Sequence, residues 1–344
     1  MKHDFPKVGL EKLCGLFGKS RGAIYDHQKR QVQERLEEDI VLLYVHQIRQ
    51  TLPRLGTRKL HFKLEPLLRE HGIEVGRDYL FELLEAHKLL IRRRKRKVIT
   101  TDSRHWLRKY NNLTKEFVVD RPEQLCVSDI TYIRLVNQWG YLSLITDAYS
   151  HKVMGYCFRN DLSAQGCVDA LAMALCNRQY PGNKLIHHSD RGTQYCSSAY
   201  VGLLVDHSIG ISMTENGDPY ENAVAERLNG IIKEEFNLYE SRLGFELTYE
   251  QIKTSIWAYN EQRPHDSCDR LTPQQAHQCQ GMLRKRWKTY AKKRPIDLSE
   301  RSKKEAGTAP LTEQVTASFY GKSIRPLSLK INCIGLLGLL IGLV

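Results

Sequence analysis

The hydrophobic period changes near Val118, and the order of elements that follows limits the fold more than any other feature of the chain. Upstream, apolar residues recur at helical spacing. Downstream, 125–134, 140–147 and 152–158 are short runs rich in β-branched and aromatic residues, with a turn at 148–151. An alanine- and leucine-rich segment then predicts a helix over 163–178, capped by Ser163. A strand at 184–188, a helix at 197–206, a strand at 210–213 and a long helix over about 221–236 complete the series. The order β-β-β-α-β-α-β-α suits an α/β domain with a mixed sheet, an antiparallel meander followed by crossover units.

Residues 9–29 ahead of this domain read as two short helices about a turn. Leu10, Leu13, Leu16 and Phe17 form an apolar face, Gly18 ends the first helix and Ser20 can cap the second. This is the outline of a helix-turn-helix, and also of two packed helices that touch no DNA. Further helices are expected over 33–50, over 55–72 with Thr57 as cap, and over 77–90. Six consecutive basic residues follow, Arg92, Arg93, Arg94, Lys95, Arg96 and Lys97. Their mutual repulsion keeps them out of a packed core, leaving a DNA-backbone contact or a solvated linker.

The net charge of +13 points to a polyanionic partner. It is unevenly distributed: residues 1–120 carry +10, residues 121–240 carry −5 and residues 241–344 carry +8. An acidic middle between basic flanks suits a chain that holds cations in its centre and phosphates on either side. The nine cysteines include no CxxC pair, which argues for free thiols and against a zinc ribbon. His187 and His188 are adjacent and lack a suitably spaced cysteine, so they do not read as zinc ligands. Met1–Lys7 is charged with no apolar run after it, so no secretory signal is expected. The apolar run 331–344 is too short to span a bilayer comfortably, and no membrane partner is expected.

Three acids stand out. Asp129 lies inside a largely apolar strand, where a carboxylate is costly unless paired or bound to metal. Asp190 lies just past a strand end, where sites gather in α/β sheets. Glu226 lies on the last helix, beside an apolar stripe of Val224, Leu228 and Ile231 that would dock it on the sheet. Any one of the three could be an ion pair or a cap. Together they offer the oxygen ligands that hard divalent cations prefer.

The motifs around these acids resemble those of bacterial insertion-sequence transposases related to retroviral integrases, in particular the second-reading-frame product of insertion-sequence family three. Asp129 stands in SDITYI and Asp190 in HSDRGTQY. Glu226 ends YENAVAE, thirty-five intervening residues after Asp190, and Lys233 follows seven positions later. Downstream, YNEQRPH at 259–265 and Thr272-Pro273 match the same family. Upstream, Leu13-Cys14, Ser20-Arg21 and Tyr25 resemble its entry helices. The resemblance covers about residues 9–280. Three positions depart from it: Leu125-Cys126 where tryptophan is expected, Glu221 for aspartate, and Cys268 for leucine.

The resemblance implies an RNase H-like core, a mixed five-stranded sheet flanked by helices, preceded by an all-α helix-turn-helix-type region. The resemblance places a catalytic domain at 118–280 behind a helix-turn-helix-like DNA-binding region at 1–52 and a second helical region at 53–98, and the tail at 281–344, which lies beyond it, is expected to be poorly ordered. It further implies a DDE-type transposase that cleaves and joins DNA, with Asp129, Asp190 and Glu226 as catalytic residues and as ligands of Mg2+ or Mn2+. Lys233, the basic run 92–97 and Arg21 are the expected DNA contacts. The expected partners are element ends and target DNA, further copies of the chain on that DNA, and a first-frame protein with a helix-turn-helix and a leucine zipper. The expected location is the bacterial cytoplasm, associated with the nucleoid. A non-catalytic DNA-binding regulator and a general RNase H-like nuclease are the competing readings; the clustered carboxylates argue against the first.

Overall fold

The computed structural model describes residues 7–92, 106–115, 117–215, 222–239 and 243–286. The chain separates into two compact units, Met1–Lys288 and Thr289–Val344. The second unit lies outside the described residues, as do 93–97 of the basic run and the Tyr220-Glu221 pair.

The first helix is α1 (Leu10–Leu16), ended by Gly18 at φ 62°. The Ser20 hydroxyl accepts from the Ala23 amide at 3.1 Å and caps α2. The helix that follows differs from the sequence expectation. The second short helix and the predicted helix over 33–50 are one continuous helix, α2 (Arg21–Thr51). Nothing between Lys29 and Gln33 can break it, since that stretch holds neither Gly nor Pro. The next helices are α3 (Thr57–Arg69) and α4 (Arg77–Ala86). Gly56, not Thr57, is the N-cap of α3, because Thr57 is already helical and its side chain is buried.

The strands are β1 (Leu125–Arg134), β2 (Trp139–Asp147) and β3 (Val153–Arg159), then β4 (Ile186–Ser189) and β5 (Gly210–Met213). They form one sheet in the order β3-β2-β1-β4-β5. The first three are antiparallel neighbours, whereas β1, β4 and β5 are parallel. The intervening helices are α5 (Ala164–Cys176) and α6 (Ser198–Asp206). Ser163 occupies the N-cap position of α5 but makes no side-chain cap; its hydroxyl turns back to Asp161. Beyond β5 come α7 (Ala223–Glu235), α8 (Phe245–Gln262) and the short α9 (Pro273–Ala276).

Alternation along β1 gives the sheet two faces. Cys126 joins Ile145, Met154, Cys167, Ala170, Tyr200 and Leu204 on the side covered by α5 and α6. Val127 and Ile133 point the other way. There Leu142, Leu144 and Phe158 pack against Leu228, Ile231 and Ile232 of α7 and Ile252, Ile256 and Tyr259 of α8. The same apolar cluster takes in Val41, Val45 and Ile48 of α2, Leu60 and Leu64 of α3, and Leu80 and Leu84 of α4. Polar contacts reinforce this junction. The Arg54 amide donates to the Glu235 carbonyl (3.1 Å), the Thr51 hydroxyl to Gln262 Oε1 (2.8 Å) and Lys63 Nζ to the Gln262 carbonyl (3.1 Å).

Candidate active site

The strand register brings two of the acids together. β1 and β4 run parallel with Val127 level with His188. Two residues further along each strand direction stand Asp129 and Asp190, on the same face as Val127. Asp190 is the first residue beyond β4, so the pair sits where the parallel pairing of β1 with β4 has ended while β1 continues beside β2. Both are half-buried.

The third acid arrives from above. Helix α7 lies over β1 and is fastened to it by two asparagines. Asn222 Nδ2 donates to the Ser128 carbonyl (3.0 Å), and Asn229 Nδ2 donates to Asp129 Oδ2 (2.7 Å). Glu226 lies four residues after the first and three before the second, on the same helical face. Glu226 is exposed, and Lys233 follows two turns later, half-buried in the last turn. Sequence reasoning passed over the asparagines, although their spacing from Glu226 was already visible.

Electrostatics agree with this grouping. Burial raises the Asp129 carboxyl to about 7, and the nearby charges of Asp190 and Glu226 act in the same direction. The Ile130 amide and Asn229 work against them by hydrogen bonding to the ionised form. Burial also raises Glu226. Asp190 Oδ1 accepts from the Gly192 amide at 2.9 Å. A Cβ at Gly192 would lie 3.0 Å from that same oxygen, which explains a glycine two residues after the acid.

The donor set suits a hard cation. The charges of Asp190 and Glu226 both act on the Asp129 carboxylate. Among the described residues, the buried Oδ1 atoms of Asn222 and Asn229 have no hydrogen-bond donor. Oxygen acceptors without protons to share are the surroundings in which a hydrated divalent cation is held. The remaining expected DNA contacts are spread out. Arg21 is exposed at the start of α2, and the Arg92 carbonyl accepts from Arg54 Nη2 at 2.8 Å. His187 and His188 are buried, engaged with the Tyr200 hydroxyl (2.7 Å) and the Ser212 hydroxyl (2.8 Å) respectively. No helix among the described residues is long and apolar enough to cross a membrane.

Comparison with known proteins gives a consistent picture. The integrase core domain family matches residues 119–219, and a second integrase core domain family matches 207–273. The 31 kDa protein of insertion element IS600 from Shigella sonnei is 32% identical over 274 residues, covering 76% of this chain and 96% of that protein. The transposase of IS629 from the same organism is 35% identical over 52% of this chain and 58% of its own length. The transposase InsF of IS3A from Escherichia coli K12 is 36% identical over 48% of this chain and 57% of its own length. The catalytic core domain of HTLV-2 integrase, solved in complex with magnesium, aligns over 46% of this chain and 97% of that one, at 20% identity and a TM-score of 0.37. With a relative matched along nearly its whole length and integrase core domains covering the sheet and its acids, the chain belongs to the insertion-sequence family three transposases, DNA-acting enzymes with an integrase-like catalytic core.

Proposed function

We propose that this chain cuts and joins DNA at the ends of its insertion sequence, with Asp129, Asp190 and Glu226 as the catalytic carboxylates. The observation that carries this reading is the hydrogen bond from Asn229 of α7 to Asp129, together with the charges of Asp190 and Glu226 acting on that same carboxylate. The three would hold Mg2+ or Mn2+, which supplies activation of a water or DNA 3′-hydroxyl and stabilisation of the leaving oxygen at phosphorus. The chain's own part is positional. Asn229 aims the Asp129 carboxylate, the Gly192 amide aims Asp190, and α7 carries Glu226 and Lys233 two turns apart on one face, with a DNA phosphate contact assigned to Lys233.

The same reading assigns DNA-backbone contact to Arg21 and the basic run 92–97, within helix-turn-helix-like regions at 1–52 and 53–98, and the catalytic domain to 118–280. It includes assembly of several copies on DNA, a first-frame partner protein, and work in the bacterial cytoplasm at the nucleoid. The test uses the full chain with its element's terminal DNA. Asp129→Asn, Asp190→Asn and Glu226→Gln should each abolish Mg2+-dependent cleavage and strand transfer while leaving the circular dichroism unchanged. Retention of full activity by all three variants would refute the assignment.

A further inference from the structure

A second group of metal-ligating side chains lies away from the acids. His151 sits in the turn between β2 and β3, while His265 and Cys268 belong to the segment just after α8. One ligand atom from each of the three lies within 4.8 Å of the others. The acids stand at the end of β4, whereas this turn stands beyond the start of β1, where Cys126 pairs with Asp147. We propose that His151, His265 and Cys268 form a binding site for a soft or borderline divalent cation of the zinc class, separate from the carboxylate site.

Ligand chemistry supports the choice of cation. Two imidazoles and a thiolate favour Zn2+ or Co2+ over Mg2+, which seeks oxygen. Tetrahedral zinc with nitrogen and sulfur ligands separates its ligand atoms by about 3.3–3.6 Å, so ligand atoms that already lie within 4.8 Å of one another need to contract by at most roughly 1.5 Å. The two rings already stack, 4.6 Å apart and 9° from parallel. His265 Nδ1 is engaged by the Ser267 hydroxyl at 2.7 Å, which leaves Nε2 for a cation and provides the second hydrogen bond that orients a ligating imidazole.

The surroundings hold the ligands in place. His151 adopts φ 60°, a costly conformation for a non-glycine residue. It is kept there by its amide donating to the Asp147 carbonyl (2.9 Å) and by the Tyr259 hydroxyl donating to its carbonyl (3.0 Å). Cys268 is fully buried, with Sγ 3.6 Å from the Ser150 carbonyl. On binding, the Cys268 S–H bond breaks, its electron pair goes to the cation and one proton leaves to solvent. Burial and the Asp147 carboxylate both keep the Cys268 thiol protonated until a cation displaces the proton, and Asp147, which also acts on His151, then offsets part of the positive charge that remains. Of the cations that act on these histidines, which include Lys285 and Lys59, Arg263 is taken up by Glu235 through two contacts of 2.7 and 2.8 Å. With three protein ligands, the fourth position falls to water entering past half-buried His151.

The test is titration of reduced, metal-free full-length protein with Co2+ alone, followed by optical absorption. The expected result is a thiolate-to-cobalt charge-transfer band that saturates at one equivalent and is displaced by Zn2+, any cobalt held by the carboxylates lacking that band. Cys268→Ser should lose the band. Ser267→Ala, a gentler change, should weaken binding by about 10–100-fold. Asp129→Asn should keep the band intact, which separates this site from the carboxylates. No stoichiometric uptake, a spectrum without thiolate character, a band that survives Cys268→Ser, or a band lost in Asp129→Asn would each overturn the proposal.

Discussion

Asn229 shows how much of a site can rest on one neutral side chain. It is buried on α7, and its amide donates to the carboxylate oxygen of Asp129 at 2.7 Å. Asp129 sits in a field that opposes its charge, so a donor aimed at the ionised form both orients the group and favours ionisation. Asn229→Leu keeps the volume and removes the donor. Cleavage of element-end DNA should fall by about 10–100-fold, the usual cost of losing a partner that orients a metal-binding group, with unfolding little changed. Asn229→Asp should cost more, since it adds a fourth carboxylate. An Asn229→Leu variant with the wild-type rate would show that Asp129 needs no such orientation.

At the scale of elements, the close seating of α5 on the sheet depends on Gly155 in β3. A Cβ there would lie 2.1 Å from the Ala170 carbonyl oxygen and 2.6 Å from the Ala174 amide nitrogen. Helix backbone cannot yield as a flexible side chain would, so Gly155→Ala should destabilise by at least about 1–3 kcal/mol, read as a lower urea midpoint at unchanged slope. A midpoint equal to wild type would mean α5 can shift freely. The strands and α5 to α7 were legible in the sequence because each has a strong period and lies between clear breaks. The places of Asp129 and Asp190 in the fold were legible for a related reason, the first inside the β1 run and the second just past the end of β4. Helix α8 was missed as an element, its YNEQRPH segment having been read as a motif instead. The continuity of α2 was missed because two plausible helices were drawn where no breaker separates them. The caps at Ser163 and Thr57 failed for a local reason: a hydroxyl's choice between a backbone amide and Asp161, or between cap and first turn, depends on backbone angles that residue type does not specify. The His151, His265 and Cys268 group was invisible at the sequence level, because more than a hundred residues separate the first ligand from the others and only the fold joins them.

At the scale of the molecule, distant segments meet in a buried charged cluster. Glu123 receives Arg178 Nε at 2.9 Å and the Gln179 amide at 2.6 Å. His277, just after α9, lies 3.4 Å from Glu123 Oε1 and 3.6 Å from Asp147 Oδ1. Burial alone would raise Glu123, but contacts with His277, the Gln179 amide and Arg178 outweigh it and hold the carboxyl at about 2. Burial likewise works against a charged His277, yet Asp147 and Glu123 raise it overall. The Glu123 contribution is therefore present above about 4.5 and lost as pH falls towards 2. The His277 contribution is complete below about 6.5 and lost as pH rises through its elevated value. Urea unfolding should show this cluster at its strongest between those limits, and His277→Gln should flatten the alkaline decline; a variant that weakens as steeply as wild type between pH 6 and 9 would refute the account. The long helix α2 raises a question of leverage. Its buried residues are Val41, Val45 and Ile48, all near one end, so about 30 Å of helix runs from Arg21 to that anchor. A pivot of about 5° at the anchor would carry Ser20 sideways by roughly 3 Å, close to the rise of one base pair. The stiffness of the aliphatic contacts near that end, with the hydrogen bonds of Glu38 to Tyr79, Tyr44 to His71 and Thr51 to Gln262, thus sets how finely the tip of that arm can be indexed against the acids on the sheet.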